Sequence, residues 1–115
     1  MLPPSQAIQS SLSVLRGLCQ RSNPDPRELQ GIFLTMQQVF QRQVLPLGGE
    51  DASGNTALQP LLTEMNRTLR LMAMDIAFLQ TARQPTTQQQ RQRQMLTKID
   101  QLEAFVATLQ QTLEH

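Results

Sequence analysis

Apolar residues recur along this chain at intervals of three and four, and four stretches carry the pattern. Such spacing returns side chains to one face of an α-helix. Between about Ser5 and Arg21 the row is Ile8, Leu12, Leu15 and Cys19. Ser5 is placed to cap that helix by accepting a backbone hydrogen bond. A second row follows Asn23-Pro24-Asp25-Pro26: Leu29, Ile32, Phe33, Met36, Val39, Phe40 and Val44. Asp25, Pro26 and Glu28 stand in the order of N-cap, first helical residue and capping-box acid. The row predicts a helix that ends before Pro46. Gly31 inside it costs about 1 kcal/mol relative to alanine, which points to a close crossing by a neighbouring helix.

Residues 46–56, "PLGGEDASGNT", break the pattern with glycines and a proline, and predict one long loop crossing the end of the fold. The third row is the most regular: Leu58, Leu62, Met65, Leu69, Met72, Ile76 and Leu79 alternate spacings of four and three, with Leu61, Leu71 and Phe78 widening it. Pro60 falls in the first turn, where a missing amide hydrogen matters least. Gln84-Pro85 ends this helix, Thr86 or Thr87 is the expected cap of the next, and Gln89 or Gln90 is placed for a capping box. Met95, Ile99, Leu102, Val106 and Leu109 form the fourth row, with Leu96 and Phe105 alongside. Long helices joined by a short turn pack antiparallel. The expected fold is therefore all-α: an antiparallel four-helix bundle with one long loop between helices two and three. It forms a single domain over residues 1–112. Leu113, Glu114 and His115 look like the remnant of a purification tag and are set aside.

Asp75 is the odd member of the third segment. Its helical neighbours three and four residues away are Leu71, Met72, Phe78 and Leu79, none of which pairs with a carboxylate. A buried, ionised carboxylate without a partner is too costly to keep, so the partner comes from another helix or from water. Folding the chain back at Pro85 brings Lys98 or Arg91 opposite it, and Arg16 on the first helix is a further candidate. An ion pair that fixes the register of the helical hairpin is the expected role. A lone catalytic or partner-binding carboxylate is the alternative.

Composition narrows the chemistry. Net charge is +1, which gives no general pull toward nucleic acid or anionic lipid. The single cysteine excludes an internal disulfide and fits a reducing compartment. No charged-then-apolar leader opens the chain and no window has the roughly 20 apolar residues of a membrane span, so a cytoplasmic location is expected. With His115 set aside there is no histidine for general-base or zinc chemistry. Cys19 occupies a core position, no Glu-x-x-His pair supports a di-iron site, and the glycines at 48, 49 and 54 lack the Gly-Lys-Ser/Thr of a phosphate loop. No catalytic, cofactor or metal site is expected, and the chain is not read as an enzyme.

The helical tip "TTQQQRQRQ" is expected to project into solvent. Arg91 and Arg93 there suggest an alternative role as a nucleic-acid-associated or transcription-linked adaptor, but no aromatic residue is near to stack a base. Leu34, Leu47, Leu71 and Phe78 fall off or at the edge of their rows, and form either bundle wall or a patch for a partner or a homo-oligomer.

"TEMNRTLRLM", "FLQTARQP" and the spaced glutamines and arginines that follow, within Leu61–Leu102, resemble the PatD family of cyanobacterial heterocyst frequency control proteins. "FQRQVLPL" adds weaker support. The resemblance implies a non-enzymatic regulator that binds the tubulin-like division protein FtsZ, modulates its assembly and influences heterocyst frequency. On that expectation the hairpin tip, with Arg83, Gln84, Arg91 and Arg93, is the candidate partner-binding surface, since arginine pairs with carboxylates in a fixed fork geometry.

Overall fold

The computed structural model describes residues 3–21, 24–48 and 58–114. They form α1 (Pro4–Cys19), α2 (Pro26–Val39), α3 (Leu58–Thr81) and α4 (Pro85–Glu114). A π-helical turn at Phe40–Val44 and a 3₁₀ turn at Leu45–Gly48 follow α2. No strand occurs among the described residues. The architecture is an all-α four-helix bundle in which consecutive helices run antiparallel and α4 closes the ring against α1. Side-chain links mark the registers. Gln80 donates to Gln30 between α3 and α2. Between α4 and α1, Gln110 reaches Gln9 and Gln92 reaches the Arg21 carbonyl.

The apolar rows of α1, α3 and α4 are buried in full, and Leu18 joins them. From α2 and its extension come Leu29, Phe33, Met36, Phe40 and Val44, with Ile32 and Val39 partly covered. Each fully buried side chain of this kind contributes roughly 1.5–3 kcal/mol, so the single shared core dominates stability. Leu61, Leu96 and Phe105 sit half-buried at its margin.

The helix ends differ from expectation. Ser5 caps nothing, because Pro4 takes the first helical position and Pro3 the N-cap without a side-chain bond. A proline there has its φ preset and no amide hydrogen to leave unpaired. Asp25 does cap α2, its Oδ1 accepting from Arg27 N at 2.9 Å. Glu28 does not complete the capping box; it faces Arg21 at 3.6 Å across the α1–α2 connection. At α4, Thr86 and Thr87 lie inside the first turn, Pro85 is the first residue, and Gln84 supplies the carbonyl that accepts from Gln88 N at 3.0 Å. Gln88 works in the opposite direction from a capping box: its Nε2 donates to the Ala82 carbonyl at the end of α3, at 2.9 Å.

Regular winding also does not stop before Pro46. In an unbroken α-helix the Pro46 ring would strike the carbonyl four residues back. Here the turn widens, with Leu45 N donating to Phe40 O, and the wider turn rotates Val44 back onto the core. The 3₁₀ turn then carries the chain through Pro46 to Gly48. Gly48 is buried where a Cβ would lie 2.7 Å from Leu62 Cδ1, so only glycine leaves that core leucine in place. Gln59 donates to its carbonyl. The rest of the expected loop, 49–56, lies outside the described residues. Gly31 marks no close crossing: a Cβ there would meet nothing within 4 Å.

Candidate functional site

Asp75 lies on the flank of α3 that faces α4, with its side chain only 3% exposed. Lys98 Nζ donates to its Oδ2 at 2.6 Å, and Arg91 Nη1 to its Oδ1 at 3.3 Å. Both sequence-derived partners thus converge on one carboxylate, one on each oxygen. Arg16 does not join them. It crosses instead to the other flank of α4 and pairs with Asp100 and Glu103. Those two carboxylates, through their hydrogen bonds, push the Arg16 guanidinium above its already high value.

Arg91 is tied down on several sides. Besides Asp75 it donates to Gln94 at 3.1 Å, and its guanidinium carbon lies 4.0 Å from the centre of the Phe78 ring. A cation over a ring face is worth about 0.5–1 kcal/mol at an exposed site. The buried carboxylate therefore steers an arginine onto an aromatic ring that is itself 45% exposed.

Phe78 belongs to a second apolar row on α3 that sequence reasoning recognised only in part. Leu71, Met74 and Phe78 are spaced three and four apart, like the inner row, yet point away from the core and are 39%, 55% and 45% exposed. Met74 was missed, although its spacing from Leu71 and Phe78 was the available signal. Beside this row runs a groove of about 420 Å³ between α3 and α4, with Leu71, Thr68 and Phe105 among its walls and Arg67 and Lys98 at its rim. Arg67 faces Glu64 at 3.6 Å.

The hairpin tip is less free than its composition suggested. Arg83, Gln84 and Arg93 are exposed, but Arg91 is half-buried in the Asp75 cluster. Gln92 is buried, donating to the Arg21 carbonyl at 3.1 Å, so the start of α4 packs against the α1–α2 connection rather than projecting alone. Of the four candidate docking residues, Arg83, Gln84 and Arg93 lie open to solvent, while Arg91 is held by Asp75 with 29% of its side chain exposed. Leu34 and Leu47 are exposed at 45% and 39%.

Cys19 is buried beside Leu15 and Leu18, and its thiol is pushed up to about 11, chiefly by desolvation. At neutral pH it is a protonated core residue, not a nucleophile. Among the described residues no group of three or more His, Cys, Asp or Glu side chains is placed to hold a metal ion. No described helix is long and apolar enough to cross a membrane.

Residues 4–105 match the family model described as the CRR41 C-terminal domain. The chain belongs to that family. The match reaches from the start of α1 to Phe105, and so contains α1, α2, α3, α4 as far as Phe105, both ion clusters and the outer row of α3. Searches of curated proteins and of solved structures returned no match.

Proposed function

We propose that this domain is a non-enzymatic, cytoplasmic regulatory module that docks another protein on the outer face of its α3–α4 hairpin and alters that partner's assembly. The observation that carries the reading is the Leu71–Met74–Phe78 row: three large apolar side chains in helical register, each more than a third exposed, on the side of α3 opposite the core. Clustered apolar surface of this kind on a small domain marks an interaction site. Exposed Arg70, Arg67 at the groove rim and Arg91 over the Phe78 ring give the face a basic border suited to carboxylates.

FtsZ is the partner implied by the resemblance to the PatD family, with an influence on heterocyst frequency as the cellular consequence. The nucleic-acid reading draws on Arg83 and Arg93 at the tip, since Asp75 turns Arg91 toward the Phe78 ring on the outer face of α3. Two arginines without a stacking aromatic make a weak footprint for a phosphate backbone. Co-sedimentation of the full chain with FtsZ polymers tests the proposal. Binding is expected to fall at least tenfold in a Met74→Glu/Phe78→Glu variant and to change little in Arg83→Glu/Arg93→Glu. Undiminished binding by the first variant would move the site off this face; no binding by the parent protein would remove FtsZ as the partner.

A further inference from the structure

α3 carries two seams. The inner row meets α1, α2 and α4, and the outer one, Leu71, Met74 and Phe78, has the same three-and-four spacing with no helix against it among the described residues. Continuing that spacing one step toward the N-terminus gives Arg67. The groove beside the row is concave, and Phe105 of α4 forms part of its wall. This is the shape that accepts an amphipathic helix through anchors spaced at i, i+3 or i+4, and i+7.

Charge selects the kind of helix. Arg70 borders the row as an exposed cation with no ion-pair partner among the described residues. Asp75 is outnumbered by Lys98 and Arg91. Glu64 is the only carboxylate lining the groove, and it faces Arg67. Arg91 keeps further guanidinium N–H donors beyond those given to Asp75 and Gln94. A second copy of this chain would bring the same arginines to the seam, and like charges across an interface are disfavoured. A bilayer takes up the convex apolar face of an amphipathic helix, whereas here Leu71 opens onto a recess walled on the far side by Phe105.

Resting on the docking role proposed above, we infer that the outer face of α3, from the lip of the α3–α4 groove at Leu71 along to Phe78, receives an acidic amphipathic helix of the partner protein as a fifth helix. The partner's apolar residues lie along Leu71, Met74 and Phe78. Its flanking Asp and Glu side chains meet Arg67, Arg70 and Arg91. Asp75 is a positioning residue for this site, because it holds Arg91 over Phe78.

The probe is a labelled synthetic peptide of about five helical turns, with leucines at three-and-four spacing and glutamates on the flanks. A scrambled peptide of the same composition, a version with lysine for glutamate, and phosphatidylglycerol vesicles accompany it. Anisotropy and amide chemical shifts of the full chain are read. The acidic helix is expected to bind, with shifts centred on Leu71, Met74, Phe78 and Phe105. Affinity should fall about tenfold in Met74→Glu/Phe78→Glu and severalfold in Arg70→Glu, a surface change that leaves the core untouched. The lysine peptide should bind at least tenfold more weakly. Equal binding of the scrambled peptide, shifts centred elsewhere, or binding of vesicles without binding of the peptide would overturn the inference. So would a concentration-dependent dimer abolished by Met74→Glu/Phe78→Glu. FtsZ co-sedimentation in parallel separates the two claims. FtsZ bound with no peptide bound removes the helix mode alone; peptide bound on this face with FtsZ unbound removes the partner alone.

Discussion

On the α3 side of α4, one carboxylate, Asp75, meets two cations, Lys98 and Arg91; on the α1 side, one cation, Arg16, meets two carboxylates, Asp100 and Glu103. The clusters are inverse in charge, and they differ in burial. Asp75 is 3% exposed, whereas Arg16 is 31% and Asp100 66% exposed. The difference teaches that the same element, α4, uses one flank for a dry ion cluster and the other for a wet one. It also explains how the bundle chooses its arrangement. Were α1 and α3 exchanged about α4, Arg16 would face Lys98 and Arg91, and Asp75 would face Asp100 and Glu103. Both flanks would then set like charges against each other, which excludes that alternative packing of otherwise similar leucine rows.

The comparison breaks most visibly at Asp75. Asp75→Asn removes the carboxylate that neutralises Lys98, whose side chain is only 16% exposed. Removing one member of a buried ion cluster costs about 3 kcal/mol, because the remaining charge stays desolvated. Urea unfolding of the variant should show that loss. Lys98→Met in the same chain should recover part of it, giving a coupling above about 1 kcal/mol in the double-mutant cycle. Additive effects would mean that Asp75 and Lys98 are neighbours without energetic interaction.

Arg16 should behave differently. A half-exposed pair is screened by water and ions, so Arg16→Met is expected to cost no more than about 1 kcal/mol. That cost should shrink further in 1 M salt, where the Debye length is about 3 Å. The loss at Asp75 should be much less sensitive to salt. If both variants lose stability equally and respond alike to salt, the contrast in burial has no energetic content.

Legibility followed the same division between inside and outside. The core rows of α1, α3 and α4 were readable because burial enforces a strict period: one misplaced polar residue from Leu58 to Leu79 would leave a defect in the core. Asp75 was readable for the same reason, since a carboxylate among Met72, Ile76 and Leu79 demands a partner. Arg16 was offered to Asp75 rather than to Asp100 and Glu103, because a solvated cation satisfies itself with water and carries no such demand. The widened turn at Phe40–Val44 was hidden too. Its cause is a proline two residues further on, and sequence spacing alone gives no sign whether the chain stops or rewinds. The expected caps failed at the helices that begin at Pro4 and Pro85, whereas Asp25 caps α2 ahead of Pro26. The outer row of α3 was seen only as two stray residues, Leu71 and Phe78, because an exposed row is under no packing constraint and its middle member, Met74, passes as core composition.

The smallest expected effect sharpens the comparison from a residue that senses both clusters. Cys19 is raised to about 11, foremost by burial; the Arg16 charge pulls it down and the Asp75 charge pushes it up. The folded protein holds the thiol proton more tightly than the unfolded chain, whose thiol titrates near 8.5. Its contribution to stability is therefore fully present below about pH 8.5 and is lost as pH rises through about 11. The quantity to measure is the difference in alkaline stability loss between the parent protein and Cys19→Ala. The thiolate is directly visible by ultraviolet absorbance, because the chain has no tyrosine to obscure it. Asp75→Asn should lower the Cys19 midpoint, and Arg16→Met should raise it. Opposite shifts of modest size would establish that both clusters act on the core through charge. Shifts in the same direction would show that loosened packing, common to any substitution at these flanks, governs the thiol instead.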